Sequence, residues 1–265
     1  MLPWYTGQPE PERPHAGLLF DKFCDRWNGA GDLGTRKREF LEEVIAQYNN
    51  SDLTQLLSAW RARRNALVAT LAPDCQTYTK TFTTSERLIT GFGMNHVLDN
   101  GFVWHPTLSV PYLPGSGVKG VIRAWVDPDK GWADKADKQQ WDAARRLFGD
   151  AGDEGRPGLG VGWLVVFDAL PLGVPTLEID VMNVHHQKYY QEKYYQGGEP
   201  PSDYEDPVPV FFLAIAAGAT FEFALVPRPG VGTPKDVEEG FKLLNRALSV
   251  LGFGAKTAVG YGRLA

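Results

Sequence analysis

The spacing of apolar residues predicts helices in the first third of the chain. Apolar side chains recur at helical intervals over residues 40–48 and again over residues 53–71, where Pro73 ends the pattern. The second segment has an apolar stripe formed by Leu53, Leu56, Leu57, Trp60, Leu67 and Leu71. Arg61, Arg63 and Arg64 lie off this stripe. Two interpretations of the arginines stay open, an exposed charged face and a contact with RNA.

From residue 76 onward the pattern changes to short strands separated by helices. Segments rich in β-branched and aromatic residues predict strands over 77–84 and 87–92. Further strands are predicted over 164–167, 177–182, 208–216, 220–226 and 258–264, and helices over 116–126, 141–148 and 237–251. The two strands on either side of Ala217-Gly218-Ala219 are predicted to form a hairpin.

The order of these elements predicts the fold class. Strand, helix, strand, a long insertion, strand, strand, helix, strand is typical of an α+β, ferredoxin-like (RRM-like) sheet with helices on one face. We therefore divide the chain into an N-terminal helical extension, residues 1–85, and a ferredoxin-like domain, residues 86–265. The domain carries an inserted loop region at about residues 170–207.

Composition narrows the possible partners. A chain of 265 residues with 43% hydrophobic content forms one or two globular domains. Its net charge of −5 makes a free-standing, non-specific nucleic-acid binder improbable, so any RNA contact must use a local basic surface or partner chains. Cys24 and Cys75 have neither metal-ligand spacing nor a disulfide framework. The sequence shows neither a signal peptide nor an apolar segment that spans a bilayer, which predicts a soluble, cytoplasmic chain.

A first glycine-rich loop at residues 115–120 reads GSGVKG and matches the dinucleotide pattern G-x-G-x-x-G. Prolines 111 and 114 interrupt the strand that a dinucleotide site requires, so we reject that function. Small residues still let a ligand approach the backbone, and the free N–H groups of a helix starting at Ser116 favour an anion. Lys119 and Arg123 add positive charge one turn apart. The alternatives are a phosphate site and a tight turn that packs against the sheet.

A second glycine-rich loop lies at residues 252–263 and reads GFGAKTAVGYGR. Its Gly-Ala-Lys-Thr resembles the end of a Walker A loop, but Ala255 replaces a glycine and the predicted order of helix, loop and strand is reversed. ATP hydrolysis is therefore not expected. A mobile glycine backbone with Lys256, Tyr261 and Arg263 is typical of a loop that holds a nucleic-acid backbone while a base stacks. The alternative is a helix C-cap followed by glycines that relieve crowding in an edge strand.

Together these segments resemble a known family. Residues 111–123, PYLPGSGVKGVIR, resemble the Pro-Gly-Ser-Ser-x-Lys-Gly-x-x-Arg signature of the RAMP superfamily of CRISPR proteins, with Gly117 in place of the second serine. Residues 252–262 resemble the superfamily's closing glycine-rich loop. Asp180, the His185-His186 pair, Tyr189-Tyr190 and residues 207–210 resemble the family that forms subunit six of the Cmr complex, the type III-B RNA-guided effector. The similarity covers roughly residues 86–265.

The resemblance implies a non-catalytic subunit near the head end of a filament built around a guide RNA. The implied partners are the CRISPR guide RNA, the target RNA and the other Cmr subunits, and neither a cofactor, a metal nor a membrane is expected. The residues expected to bind RNA are Gly115, Ser116, Gly117, Lys119, Arg123, Gly254, Lys256, Thr257, Tyr261 and Arg263.

Three other functions remain open, and one of them is a purely protein-binding cap whose glycine-rich loops never touch RNA. RAMP relatives that cut guide-RNA precursors use a histidine as general acid or base, and His96 is the candidate for such an endoribonuclease here. Asp99 or Asp180 is a candidate carboxylate for metal-assisted cleavage. Residues 189–195, YYQEKYY, form either a hairpin that stacks on bases or wedges between subunits, or a surface loop ordered by a neighbouring chain.

Overall fold

Helices and antiparallel strands make up an α+β structure, which a computed structural model describes for residues 15–26, 33–75, 77–127, 138–153, 156–184 and 207–265. The helices are α1 (Ala16–Lys22), α2 (Lys37–Asn50), α3 (Thr54–Leu71), α4 (Gly115–Val126), α5 (Lys138–Phe148) and α6 (Pro234–Val250). The strands are β1 (Thr79–Thr83), β2 (Asp150–Asp153), β3 (Arg156–Gly160), β4 (Leu164–Val166), β5 (Leu170–Pro171), β6 (Leu177–Val184), β7 (Val208–Ile215) and β8 (Thr220–Pro227). Within these ranges, no helix is both long and apolar enough to cross a bilayer.

The main sheet is built around β8. This strand pairs with β1 along one edge and with β4 and β5 along the other, and all of these pairs are antiparallel. The C-terminal residues extend the sheet beyond β1, because Leu264 bridges Thr84 and the backbone of Ala265 exchanges two hydrogen bonds with Thr83. The order across the sheet is therefore the C-terminal segment, β1, β8 and β4.

Helices cover both faces of this sheet, whereas the sequence predicts helices on one face. Leu225 of β8 faces α6, where a Cβ added at Gly240 would lie 3.2 Å from its Cδ1. Glu222, three positions earlier, belongs to the opposite face of the same strand and pairs with arginines of α3. The two helices thus lie on opposite sides of the sheet.

Strands β7 and β8 form as predicted, but they do not pair as a hairpin. β7 pairs over its whole length with β6 in a separate two-stranded sheet. The turn between β7 and β8 is held by Thr84, whose backbone exchanges hydrogen bonds with Gly218 and Ala219 and whose hydroxyl accepts from the Ala219 amide. The chain uses this corner to pass from one sheet to the other.

Two other predicted strands are mostly irregular. Residues 87–92 contribute one bridge, between Leu88 and Ile215, and residues 258–264 pair with the sheet only at their end. A 3₁₀ helix, Thr257–Val259, and the positive φ angles of Gly260 and Gly262 interrupt the second segment. Alternating apolar residues are not sufficient to predict a strand here, because residues 87–92 hydrogen-bond with the second glycine-rich loop, which contains most of residues 258–264.

Helix α3 turns a different face inward from the one that its leucine stripe predicts. Its buried residues are Leu57, Arg64 and Val68. Leu56 and Leu67 from the predicted core stripe are 46% and 49% exposed. The helix therefore buries an arginine and leaves leucines in contact with water.

Glu222 explains this orientation. The Arg64 guanidinium forms an ion pair with its buried carboxylate, and Nη2 of Arg61 lies 2.9 Å from Oε1 of the same group. A buried charge is tolerated when it is paired and hydrogen-bonded, as it is here. The interpretation of the arginines as one exposed face is therefore wrong for Arg64, and of the three only Arg63 is exposed.

Candidate nucleic-acid interface

The first glycine-rich loop forms the start of α4. Its amide groups are not capped from within the helix, but the Gly115 N–H donates to the Asp168 carboxylate at 2.7 Å. Gly115 is buried, and a Cβ there would lie 2.6 Å from the carbonyl oxygen of Val166 in β4. This glycine therefore allows close packing against the strand, and a protein carboxylate is the anion at its amide.

The other predicted residues of this loop lie nearer the solvent. Ser116 and Arg123 are exposed, whereas Gly117 and Lys119 are half-buried. Lys119 and Arg123 are four residues apart on α4, so they lie on neighbouring turns of the same helical face. This part of the loop can offer amides and positive charge to a ligand.

The second glycine-rich loop follows α6 and pairs with the chain just after β1. The Ala255 amide donates to the Ile89 carbonyl at 2.9 Å, and the Gly262 amide donates to the Arg87 carbonyl at 2.7 Å. Gly254 has a φ of +88°, and a Cβ there would overlap the Ile89 carbonyl oxygen. Glycine is required at this position by both the backbone angle and the space.

Lys256 is the basic residue at the tip of this loop. Its backbone is left-handed, with φ of 57°, and its ammonium lies 5.1 Å from the centre of the Phe92 ring. Such a cation–π contact orients the side chain. Thr257 and Arg263 are half-buried, and Nη2 of Arg263 lies 3.5 Å from the Thr257 carbonyl oxygen.

Tyr261 is anchored by an acidic cluster on β6. Its hydroxyl donates to Asp180 at 2.6 Å, and the same carboxylate oxygen accepts from Nη1 of Arg87 at 2.8 Å. Glu178, two residues earlier on the strand, accepts from Nε of Arg87 at 2.9 Å. Arg87, Glu178 and Tyr261 border a cleft of about 730 Å³ that also includes Gly260.

The electrostatics of this cluster favour an ionised carboxylate. Burial alone would raise the pKa of Asp180, but hydrogen bonds from Tyr261, the Val181 amide and Arg87 outweigh it and hold this pKa below its ordinary value. Burial and the bond to Asp180 raise the pKa of Tyr261, so its hydroxyl stays a donor. The tyrosine predicted to meet a base is thus fixed through its hydroxyl.

The two glycine-rich loops touch each other. A Cβ added at Gly117 would lie 2.8 Å from Cζ of the buried Phe253, which begins the second loop. Serine, the usual residue of the RAMP signature at this position, would therefore require the phenylalanine ring to shift. The departure from the signature has a packing reason, and it joins the two predicted parts of the site.

His96 occupies a structural position. Its Nδ1 accepts from the Leu98 amide at 3.2 Å, and its Nε2 lies 2.9 Å from the Phe20 carbonyl oxygen, which makes Nε2 the donor. The ring stacks on Phe20 with centroids 4.1 Å apart. Burial lowers the pKa of His96. Both ring nitrogens are engaged, so this histidine has no free nitrogen for general acid–base chemistry.

The candidate carboxylates are likewise paired with protein cations. Asp99 lies 2.7 Å from Nζ of Lys37, and Asp180 is bound as described above. Across the described ranges, no three His, Cys, Asp or Glu side chains converge as metal ligands would. His185, His186 and the tyrosines of 189–195 lie outside the described residues.

Sequence reasoning missed the residues that hold the loops in place. Asp168 and Phe253 contact α4 from distant parts of the chain; no local motif marks Asp168, and the motif that contains Phe253 does not show that it packs on α4. Asp180 had a detectable signal, because a carboxylate in an alternating apolar strand is expected to have a partner. That partner, the Tyr261 hydroxyl, becomes apparent only from the fold.

Comparison with known proteins identifies the family. Residues 81–265, well over half of the chain, match the RAMP superfamily. The CRISPR system Cmr subunit Cmr6 of Pyrococcus furiosus is 30% identical over 240 aligned residues, which cover 69% of this chain and 66% of that protein. The Cmr6 subunit of Saccharolobus solfataricus is 28% identical over 169 residues, covering 62% of this chain and 48% of that protein. The chain thus spans just under two thirds of the first relative and about half of the second.

A solved structure shares the fold. A chain from the type III-B Cmr-beta assembly, determined by cryo-EM with cognate target RNA, aligns with a TM-score of 0.54 and 21% identity. The alignment covers 89% of the present chain and 74% of that chain. From the extent of the sequence match and the α+β fold, the chain belongs to the RAMP superfamily and is similar to its Cmr6 members.

Proposed function

We propose that this chain is a non-catalytic, RNA-binding subunit of a type III-B CRISPR (Cmr) effector complex in the cytoplasm, where it serves antiviral defence. It contacts the guide RNA, and the target RNA paired with it, near the head end of the filament. Its protein partners are the other Cmr subunits. Membership of the RAMP superfamily and the similarity to Cmr6 subunits support this proposal.

The observation that carries the proposal is the contact between Gly117 and Phe253. It packs the start of α4 directly against the second glycine-rich loop. Lys119 and Arg123 come from the first, and Lys256 from the second. Because positive charge and accessible backbone from two loops are typical of a site that follows a phosphate backbone, RNA is the ligand that this arrangement favours.

Each predicted residue takes a role from its position. The amides of Ser116 and Gly117, with Lys119 and Arg123, contact phosphates, and Lys256, Thr257 and Arg263 contact the backbone from the second loop. Tyr261 offers a ring face while Asp180 holds its hydroxyl. Gly115 and Gly254 let each loop pack closely enough to present these groups.

The proposal includes no catalytic step and no cofactor. The engaged ring nitrogens of His96 favour this view over the endoribonuclease, and so do the ion pairs of Asp99 and Asp180. A charged carboxylate held by arginine and tyrosine is typical of a structural clamp.

We propose a ferredoxin-like fold from the order in which the strands of the main sheet pair. The C-terminal segment, β1, β8 and β4 lie side by side, and each neighbouring pair is antiparallel. Along the chain, α4 comes between β1 and β4, and α6 comes between β8 and the C-terminal segment, as in a ferredoxin-like domain. In this scheme the predicted domain, residues 86–265, is completed by β1, which comes from the end of the predicted extension, residues 1–85. Strand β6 lies in the insertion at about 170–207 and pairs with β7, which follows the insertion.

Salt titration of RNA binding tests the function. The assembled complex is prepared with Lys119→Ala or Lys256→Ala in this chain, and the affinity for guide RNA of several sequences is measured over a range of salt concentrations. Each lost phosphate contact should weaken binding for all sequences and reduce the slope of log K against log salt by about 0.7.

Lys242→Ala provides the matched control, because Lys242 is an exposed lysine on α6 outside both loops. It should leave the affinity and the slope unchanged. If both loop variants behave like this control in complexes of normal composition, the loops do not hold RNA and the proposed site is wrong.

A further inference from the structure

Helix α3 presents an apolar stripe to the solvent. Leu56, Leu67 and Leu71 are 46%, 49% and 37% exposed. Their spacing of eleven and four residues places them on one side of the helix. Ala59 and Ala66 extend the exposed surface on the same side.

The inverted burial of this helix indicates that the stripe is an interface. Arg64 is 8% exposed and paired with Glu222, so the helix cannot rotate to bury its leucines without removing an arginine from its buried partner. Exposed leucines on a rigidly fixed helix cost free energy in water and mark a surface that another molecule covers. The ion pair thus fixes which face of α3 points outward.

Arg63 indicates what kind of molecule covers the apolar stripe of α3. It is exposed in the middle of the stripe, seven residues after Leu56 and four before Leu67. Among the described residues, none forms an ion pair with it. In a pair of identical helices related by a two-fold axis through this midpoint, Arg63 would face its own copy. Like charges at the centre of an apolar contact oppose such self-association.

We propose that the outer face of α3 docks an apolar surface of a different protein chain, with a carboxylate that pairs with Arg63. The partner is a subunit of the effector complex, so this inference rests on the proposed function. The apolar residues supply the buried area, and the Arg63 ion pair fixes how the two surfaces are aligned.

Cysteine labelling tests the docking. Leu67→Cys places a thiol in the stripe, and Leu159→Cys places one at a leucine that is 56% exposed on β3 and serves as the accessible reference. The native Cys24 and Cys75 are buried. Maleimide labelling is measured on the isolated chain and on the chain assembled with the full set of Cmr subunits and guide RNA of its host.

We expect the Leu67→Cys variant to label as fast as the Leu159→Cys variant when isolated, and about tenfold or more slowly in the assembly, as at a well-packed interface core. An unchanged rate in the assembly would overturn the inference. Slow labelling of the dilute, isolated chain would also overturn it, because the face would then be covered by its own chain. A rate that falls with the concentration of the chain alone would show a second copy instead.

A charge variant tests the carboxylate. Arg63→Glu should reduce incorporation into the complex by about tenfold, equivalent to about 1.4 kcal/mol, while Arg63→Lys keeps most of it. Equal incorporation of both variants would contradict the ion pair. If the unmodified chain fails to assemble with Cmr subunits at all, the proposed function itself fails. If assembly is normal and labelling is unchanged, only the docking face fails.

Discussion

Replacing Glu222 should be among the most destabilising single changes in this chain. Its carboxylate is the shared partner of Arg64 and Arg61, whose side chains are 7% and 21% exposed. In Glu222→Ala, Arg64 keeps the carbonyl oxygens of Asp168 and of residue 222, at 3.4 and 3.3 Å, but loses its counter-charge. An unpaired guanidinium then remains between α3 and the sheet.

The expected magnitude follows from the burial of each partner. Breaking a buried ion pair from one side costs about 3–5 kcal/mol, because the remaining charge is uncompensated. Arg61 is nearer the surface and can turn to water, so it adds about 1 kcal/mol at most. Against a total stability of about 5–15 kcal/mol, this loss is large. The melting temperature should fall by about 10 °C or more.

Urea unfolding followed by circular dichroism measures the change in the free energy of unfolding. Glu178→Ala is the matched control, since Glu178 is also a strand glutamate paired with an arginine, but it and Arg87 are 42% and 49% exposed. That pair should contribute less than about 1 kcal/mol. The double variant Arg64→Met with Glu222→Met removes both buried charges and should lose less stability than Glu222→Ala alone.

Two results would refute this reasoning. A loss for Glu222→Ala no larger than the loss for Glu178→Ala would show that Arg64 is solvated and that α3 is not held by the pair. A double variant that loses as much as the sum of its single changes would show that the two side chains act independently.

Three replacements test the contacts that hold the candidate interface together. Gly254→Ala should lower the free energy of unfolding by about 2–4 kcal/mol, because its Cβ would overlap the Ile89 carbonyl. Gly260→Ala has no atom within 4 Å of the new Cβ and should cost only the roughly 1–2 kcal/mol of a left-handed backbone. Urea unfolding compares the two variants, and equal losses would contradict the packing argument. The lowered pKa of Asp180 means that its stabilising contribution is present above the ordinary value of 3.8 and is lost as the pH falls through the folded value. Asp180→Asn should therefore flatten the acid limb of the stability curve, and an unchanged limb would show that the carboxylate is not coupled to folding.

Local sequence patterns were sufficient to predict most helices, but they were insufficient to predict which strands pair. Periodicity predicts α4 and α6 to within three residues at each end, because the apolar positions of a helix lie within one or two turns of each other. The pairing of β7 with β6 rather than with β8 depends on Thr84, more than 130 positions away from the turn that it holds. A one-dimensional pattern contains no signal for that contact.

The face of α3 illustrates a different limit. A stripe of leucines predicts the buried side of a helix only if every charged side chain of that helix points to water. Arg64 instead points to the sheet, because its partner Glu222 lies there, 158 positions later in the chain. Similarly, the glycine and lysine pattern identifies the two loops, but their supports, Asp168 and Phe253, come from tertiary contacts. The sequence pattern places the candidate residues in two loops, whereas the contacts that support these loops follow only from the fold.

Asp168 connects these two observations. Its carbonyl oxygen lies 3.4 Å from Nη1 of Arg64 in α3, and its carboxylate accepts the Gly115 amide at the start of α4 at 2.7 Å. Arg64 is itself fixed by Glu222, so the sheet, α3 and the first glycine-rich loop share one chain of polar contacts. Because these contacts run without a break from Arg64 through Asp168 to the Gly115 amide, the position of α3 bears on how α4 begins. Helix α3 is therefore part of the support of the candidate interface and not a separate attachment to it.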